Sequence, residues 1–173
     1  MDRADLRWHR RPSSNDAALR VHLAELHPST VVLTGRLCPA CGSDAHGRPW
    51  ARPADGTSRH VSLSRCGEHV LTAIAPHPVG VDVESVAAVA ASWDPALVLH
   101  PGEGAVTPAE RAAAWCGKEA VLKALGTGLR TPMSRVRLAD WDVVDLDAPA
   151  GLAAAVVVLG PRAQAGSGGS STA

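Results

Sequence analysis

Two carboxylates stand two residues apart in residues 79–84, whose sequence is VGVDVE. Alternation of valine with other residues predicts a β-strand with the valines on its core face. Asp82 and Glu84 then share the opposite face, about 7 Å apart. Gly80 carries no side chain there, so we expect room for a ligand to approach the backbone. Paired carboxylates suit Mg²⁺, although the pattern also fits an ordinary strand with a solvated acidic face.

A second candidate group surrounds Glu119. The only two lysines of the chain, Lys118 and Lys123, flank it in a segment with helical features. Trp115, Glu119 and Lys123 recur at every fourth position, which places them on one stripe of a helix. Lysine is a compact charge that suits a phosphate in a tight space. The segment therefore indicates a metal-binding Glu beside phosphate-binding lysines, or else a solvated helix face with a common Glu–Lys pair.

Two further segments have side chains that suit phosphate oxygens. Ser62, Ser64 and Arg65 combine small hydroxyls with a basic residue near a predicted turn. Arg48, which is followed by Pro49 in a long loop, could hold a phosphate or stack on an adenine. Each segment by itself fits a polar turn or a surface loop equally well.

Cys38 and Cys41 have the spacing of half a zinc site. His46, Cys66 and His27 are candidates for the remaining ligands, but none stands at a characteristic spacing. Two loop thiols beside the substrate entrance are therefore favoured over a structural Zn²⁺ at Cys38 and Cys41.

Composition limits the function classes. The net charge of the 173 residues is zero, which argues against bulk electrostatic binding of nucleic acid or membrane. Anion binding must then come from a local cluster. The sequence has no secretory signal and no apolar run of membrane-spanning length, so we expect a cytoplasmic protein. Its four cysteines do not suggest a disulfide framework. We expect a monomer.

The elements that must position these residues follow from periodicity and turn signals. Thr107, Pro108 and Glu110 predict a helix start with a capping box, and Gly126 predicts its end. Residues 85–100 are ambiguous between a short helix and a linker. The other predictions are a helix over residues 16–27, an extended loop over 38–58, and strands over 30–34, 60–64, 69–75, 79–84, 135–138 and 153–159.

The pattern predicts an α+β fold of two similar lobes related by a pseudo-two-fold, each a small antiparallel sheet packed with a helix. The expected divisions are a loose N-terminal arm (residues 1–15), an N-terminal lobe (16–85), a C-terminal lobe (86–160) and a disordered tail (161–173).

Taken together and in order, these motifs resemble the two-lobed, Sfp-like class of the 4′-phosphopantetheinyl transferase superfamily. The matching residues lie between 46 and 130 and comprise Gly47-Arg48-Pro49, Ser62-Leu63-Ser64, the VGVDVE strand and the pattern Trp115…Lys118-Glu119-Ala120…Lys123…Gly126…Gly128. The VGVDVE strand combined with this helix is specific, whereas either alone would be weak.

The resemblance implies a Mg²⁺-dependent holo-[acyl-carrier-protein] synthase. Such an enzyme moves 4′-phosphopantetheine from coenzyme A to a serine of an acyl or peptidyl carrier protein and releases adenosine 3′,5′-bisphosphate. The carriers belong to fatty acid, polyketide or nonribosomal peptide biosynthesis.

The resemblance also implies roles for individual residues. Asp82, Glu84 and Glu119 would hold Mg²⁺, and Glu119 would act as, or position, the catalytic base. Lys118 and Lys123 would bind the coenzyme A phosphates, with Lys123 stabilising the leaving group. Arg48 and Ser64 would hold the adenosine 3′-phosphate end, and Pro49 and Arg65 complete the set of cofactor-binding residues.

Two departures from the family pattern keep alternatives open. Arg65 stands where the family usually has His, and the N-terminal lobe is short, so that the upstream coenzyme A contacts are either missing or supplied by Arg20 or Arg36. The alternatives are a catalytically impaired accessory protein of the same fold and a zinc-ribbon interaction module using Cys38 and Cys41.

Overall fold

The computed structural model describes residues 4–160, apart from the side chain of Leu129. This part of the chain folds into small antiparallel sheets and a few helices, so the predicted α+β class is confirmed. The strands are β1 (Asp5–Arg10), β2 (Val32–Leu37), β3 (Arg48–Pro53), β4 (His60–Cys66), β5 (His69–Ala75), β6 (Val79–Ser85), β7 (Val143–Asp145) and β8 (Leu152–Val158). The α-helices are α1 (Asn15–Leu26), α2 (Val86–Ala91), α3 (Pro95–Val98) and α4 (Pro108–Leu125).

The longest helix, α4, begins and ends where the sequence predicts. The Thr107 hydroxyl accepts a hydrogen bond from the Glu110 N–H, and the Glu110 carboxylate accepts one from the Thr107 N–H, which completes the capping box. Gly126 ends the helix with a φ of 72°, a left-handed conformation that glycine adopts without strain.

The sheets form the middle of the molecule. One sheet has the order β1-β5-β4 and another the order β6-β8-β7, while β2 and β3 form a separate hairpin. A buried cluster joins the first two sheets face to face, with Leu71 and Ala73 from β5 against Val81 and Val83 from β6. This arrangement is compatible with two lobes, and their pseudo-two-fold relation stays a prediction.

The helices cover the outer faces of these sheets. Leu19 and Leu23 of α1 pack against Val61 and Ile74 on β4 and β5. On the other side α4 packs against β8, whose Ala155 and Val157 face the helix while its Ala154 and Val156 face the neighbouring sheet. The order of layers is therefore helix, sheet, sheet, helix.

Several expected elements were wrong. Residues 5–10 of the expected loose arm form β1, which pairs with β5 along its whole length. Residues 48–53 of the expected loop form β3, because β2 supplies a pairing partner that local composition does not show. The strand expected at 135–138 is replaced by short 3₁₀ turns at Met133–Arg135 and Leu138–Asp140. The expected disordered tail, 161–173, lies outside the described residues.

The pairing of β6 bears on the expected lobe division. We placed residues 16–85 in the N-terminal lobe, yet β6 pairs antiparallel with β8, which comes from the C-terminal half. The division after residue 85 therefore separates two strands of one sheet. A division before β6 keeps each three-stranded sheet intact.

Gly80 does not open space for a ligand, contrary to expectation. It faces α4, where a Cβ on Gly80 would overlap the carbonyl oxygen of Ala120 and lie 2.6 Å from the Ala124 nitrogen. The missing side chain instead allows the α4 backbone to contact β6 directly.

We therefore expect Gly80→Ala to destabilise the fold by about 1–3 kcal/mol, because α4 would have to move away from β6. Urea denaturation monitored by circular dichroism would measure this change. The control is Gly104→Ala, since a Cβ there meets no atom within 4 Å. An equal effect of both substitutions would contradict the close contact.

Candidate functional site

Asp82 lies where β4, β6 and α4 meet, and only 3% of its surface is exposed. Its Oδ1 accepts hydrogen bonds from the Ser64 hydroxyl at 2.8 Å and from the Lys123 ammonium at 2.6 Å. Lys123 also donates to the carbonyl oxygen of Val81 at 3.0 Å. The second carboxylate oxygen, Oδ2, is buried without a hydrogen-bond partner among the described residues.

The structure brings Glu84 and Glu119 near Asp82. Burial raises the pKa of the Glu84 carboxyl, and the negative charges of Asp82 and Glu119 raise it further against the opposing effect of Lys123. Burial likewise raises the pKa of the Glu119 carboxyl, with the Asp82 charge adding to the effect. The three carboxylates therefore destabilise one another electrostatically when all are ionised.

Proton linkage determines how these raised pKa values change the stability of the folded protein. A carboxyl whose pKa is higher in the folded state binds its proton more tightly there, so it contributes stability below its unfolded pKa. That contribution is lost as the pH rises through the raised folded pKa. Near neutral pH, Glu84 and Glu119 therefore cost stability in the protein alone, and a bound cation would offset this cost.

These residues fit a hard divalent cation. Three carboxylates offer the oxygen ligands that Mg²⁺ prefers, and the buried Asp82 Oδ2 has no hydrogen-bond partner within residues 4–160. The carboxylates are not drawn into a tight cluster: the one described group of three or more potential ligands with donor atoms all within 4.8 Å is Cys38, Cys41 and His46. The fit of the carboxylates rests on their chemistry and burial.

Ser62 and Ser64 connect the two sheets. β4 and β6 are edge strands of their sheets. The Ser62 hydroxyl accepts a hydrogen bond from the Val81 N–H at 3.1 Å, and Ser64 donates to Asp82. Both serines are buried at this junction. Ser64, which we expected to bind a phosphate, thus holds Asp82 in place.

A cavity of about 880 Å³ lies beside this junction, and Lys123 lines it as well as bonding to Asp82. Its volume lies within the usual range for small-molecule sites. No Asp or Glu is among the described residues that line it. Its basic lining residues are Arg36, Arg48, Arg52, Arg59, His60, Lys123 and Arg130. The chain is neutral overall, but this cavity is strongly basic.

Arg48 connects the β3 side of the cavity to the end of α4. Its Nη2 donates to the Ala124 carbonyl oxygen at 3.3 Å, at the negative end of the helix dipole. Its Nη1 lies 2.5 Å from the position that a Cβ on Gly126 would occupy. Glycine at 126 therefore serves both the helix end and the close approach of Arg48.

Of the other residues expected to bind coenzyme A, some line the cavity and one lies outside it. Pro49 lines the cavity, as does Arg36, although Arg36 is also paired with Asp16 at 2.7 Å. Arg65 is exposed, and its Nε donates to the Gly67 carbonyl oxygen at 3.0 Å in the β4–β5 turn. Alternation along β4 places Arg65 on the opposite face from Ser64. The structure therefore does not bring Arg65 to the site.

Lys118 is placed away from the carboxylates. It is completely buried and pairs with Glu103 at 2.6 Å, and it also donates to the carbonyl oxygens of Met133 and Val136. Five residues along a helix correspond to a rotation of about 140°, so Lys118 and Lys123 cannot share one face. This placement does not support the prediction that Lys118 binds a phosphate.

Of the candidates for completing the cysteine site, only His46 joins Cys38 and Cys41. Its Nε2 lies 3.4 Å from the Cys41 sulfur. His27 instead contacts the Nε of Arg59 at 3.2 Å, and Cys66 lies at the end of β4.

Sequence reasoning missed several cavity residues. Arg52, Arg59, His60 and Arg130 stand at no characteristic spacing, and isolated arginines are common in this Arg-rich chain. Burial, followed by the charge of Arg48 and of a nearby histidine, lowers the pKa of His60. The sequence does not indicate this lowered pKa, because only the fold brings Arg48 beside His60.

Comparison with protein families finds one match. The family model of the 4′-phosphopantetheinyl transferase superfamily matches residues 78–165, slightly more than half of the 173 residues. The match contains β6, α4 and β8, the elements around Asp82 and Glu119. No curated protein sequence matches the chain. Within residues 4–160, no helix has the length and hydropathy needed to cross a membrane.

We expect Lys118→Met to destabilise the protein by about 3–5 kcal/mol, because Glu103 would lose its buried partner. Chemical denaturation would measure the loss. The matched control is Arg10→Met, which breaks an exposed pair with Glu68 and should cost at most about 1 kcal/mol. Unchanged stability in Lys118→Met, together with weaker binding of coenzyme A, would show instead that Lys118 contacts phosphate.

Proposed function

The chain belongs to the 4′-phosphopantetheinyl transferase superfamily, and we propose that it transfers the 4′-phosphopantetheine of coenzyme A to a serine of an acyl or peptidyl carrier protein. The second product would be adenosine 3′,5′-bisphosphate. The observation that carries this proposal is the buried Asp82 beside a basic cavity. Among the described residues, one Asp82 oxygen has no hydrogen-bond partner and no Asp or Glu lines the cavity.

The cavity supports coenzyme A as the substrate that supplies the transferred group. Coenzyme A carries a 3′-phosphate and a pyrophosphate, so its binding requires several positive charges within a small volume. Arg48 of β3, Arg59 just before β4 and Lys123 of α4 line one cavity. Arginine binds phosphate through a planar fork of donors, whereas lysine acts as a compact charge. In this proposal Arg48 and Pro49 contact the 3′-phosphate end, and Lys123 contacts the pyrophosphate.

Asp82, Glu84 and Glu119 are the residues that would hold Mg²⁺. When bound there, Mg²⁺ would supply neutralisation of the pyrophosphate charge, the main electrostatic requirement of phosphoryl-type transfer. Ser64 keeps Asp82 oriented through its hydrogen bond to Oδ1. The raised pKa values of Glu84 and Glu119 and the unpartnered Asp82 Oδ2 support this assignment.

The proposed reaction is a direct displacement. The carrier serine oxygen forms a bond to the β-phosphorus of coenzyme A, and the bond from that phosphorus to the oxygen bridging to the α-phosphate breaks. Glu119 accepts the serine proton. Lys123 donates to the departing phosphate. No nucleophile from this chain is needed.

The structure also bears on the two alternative functions. The accessory-protein alternative arose from the short N-terminal lobe and from Arg65 in place of the usual His. Arg65 lies outside the cavity, on the face of β4 opposite Ser64. The substitution therefore leaves the carboxylates and the basic lining intact. In the zinc-module alternative, Cys38 and Cys41 would be the centre of the fold, yet they lie in the loop between β2 and β3.

The decisive experiment incubates the protein with coenzyme A, Mg²⁺ and unmodified carrier proteins of fatty acid, polyketide and nonribosomal peptide synthesis. We expect the mass of at least one carrier to increase by one phosphopantetheine. A carrier whose acceptor serine is replaced by alanine is the substrate control. No mass increase in any carrier would reject the transferase proposal.

We expect Glu119→Gln to lower the rate of transfer by about 10²-fold or more, because it removes a carboxylate charge and a proton acceptor together. Mass spectrometry of the carrier over time would give the rate. Glu25→Gln changes a carboxylate on α1 and should retain wild-type activity. Turnover by Glu119→Gln at the wild-type rate would remove Glu119 from the mechanism.

A second pair of variants tests the cavity. We expect Arg48→Ala to raise the KM for coenzyme A about tenfold, which corresponds to a loss of about 1.4 kcal/mol of binding. Arg65→Ala should leave this KM unchanged, because its guanidinium bonds to the β4–β5 turn. Steady-state kinetics with coenzyme A varied would compare the two, and the opposite ranking would place the 3′-phosphate near Arg65.

A further inference from the structure

The loop between β2 and β3 brings three soft ligands together. The ligand atoms of Cys38, Cys41 and His46 all lie within 4.8 Å of one another. The Cys41 sulfur and the His46 Nε2 are 3.4 Å apart. Tetrahedral zinc with ordinary bond lengths to sulfur and nitrogen requires a separation of about 3.6 Å between two such ligands. The distance between Cys41 and His46 is therefore close to the one that zinc needs.

Backbone N–H groups of this loop contact the sulfur of Cys38. The N–H groups of Ala40 and Cys41 donate to the Cys38 sulfur. The Gly42 N–H donates to the Cys38 carbonyl oxygen at 2.8 Å, and Gly42 has a φ of 72°, which favours glycine. Amide donors directed at a sulfur stabilise the thiolate, which is the form that binds metal.

We infer that Cys38, Cys41 and His46 bind one zinc ion, with a fourth position filled by water or by a ligand in the cavity. Two thiolates and an imidazole are soft and borderline donors that favour Zn²⁺ over Mg²⁺ or Ca²⁺. His46 would bind through an unprotonated Nε2. Two thiolates balance the charge of Zn²⁺, so the ion adds no net charge beside the arginines.

The position of the loop gives this zinc a role in shaping the cavity, a part of the inference that rests on the proposed function. Cys38, Pro39 and Ala40 line the cavity. His46 is followed by Gly47, which has a φ of 103°. The chain lies so close to β2 here that a Cβ on Gly47 would overlap the Leu37 carbonyl oxygen. Arg48 comes next and reaches the end of α4. Zinc would therefore fix the cavity wall and the start of β3 together.

The first test is the metal content of protein expressed in zinc-supplemented medium and purified with reductant and without chelator. We expect about one zinc per chain in the wild type. In Cys38→Ser and Cys41→Ser, bound zinc should fall by about tenfold or more, because each variant loses a direct ligand. Cys66→Ser is the matched control, since Cys66 is a half-buried thiol outside the group, and it should keep the wild-type zinc content.

Cobalt substitution identifies the ligands independently of activity. Anaerobic Co²⁺ loading of the wild type should give the visible bands of tetrahedral cobalt and a thiolate-to-cobalt charge-transfer band. His46→Cys should retain the metal and strengthen the charge-transfer band, because it adds a third thiolate. Circular dichroism would verify that each variant is folded.

Three results would overturn the inference. They are wild-type protein without zinc after anaerobic reloading, loss of zinc from Cys66→Ser equal to that from Cys38→Ser, and a Cys38–Cys41 disulfide in protein purified with reductant. The role in the cavity is tested separately by the KM for coenzyme A, which should rise about tenfold in Cys38→Ser with little change in kcat. If the protein binds zinc but this KM does not rise, the zinc site stands and its role in the cavity is rejected. If the wild type contains zinc but has no transferase activity, only the proposed function is rejected.

Discussion

The burial of the Asp82 carboxylate is the constraint on which the arrangement of this protein depends. An ionised carboxylate removed from water needs hydrogen bonds and positive charge nearby, or it becomes very costly. Ser64 brings the hydrogen bond from β4, and Lys123 brings the charge from α4. These two contacts hold the edge strands β4 and β6 and the C-terminal half of α4 together at Asp82. Only one of the two carboxylate oxygens is satisfied in this way, which leaves the other for a ligand.

Much of this site was predictable from the sequence, because its motifs depend on local periodicity. The alternation in VGVDVE correctly predicted a strand at β6, and the Thr107 and Gly126 signals predicted both ends of α4. Strand pairing was harder, since it depends on partners distant in sequence. β1 and β3 were missed for this reason: each contains polar or proline residues that suggest a loop until a partner strand lies beside them.

The two lysines show the same limit at the level of side chains. Lys118 and Lys123 share a residue type, a helix and a family motif, and sequence proximity suggested a common role. The helical rotation between them sends Lys123 toward Asp82 and Lys118 toward Glu103 and the 3₁₀ turns. Gly80 is a comparable case, because the sequence showed a missing side chain and the fold filled the space with the backbone of α4. Neither outcome can be derived without knowing which elements pack on each face.

The meeting of β4 and β6 has a consequence for solubility. Both are edge strands, whose unpaired backbone groups are ready templates for strands of other chains and so favour aggregation. Here the Val81 N–H is satisfied by Ser62, and the Val81 carbonyl by Lys123, so side chains occupy positions that a foreign strand would use. The same contacts that assemble the carboxylates thus cover both strand edges. Separating the two sheets would uncover both edges at once, so each sheet covers an edge strand of the other as well as contributing to the site.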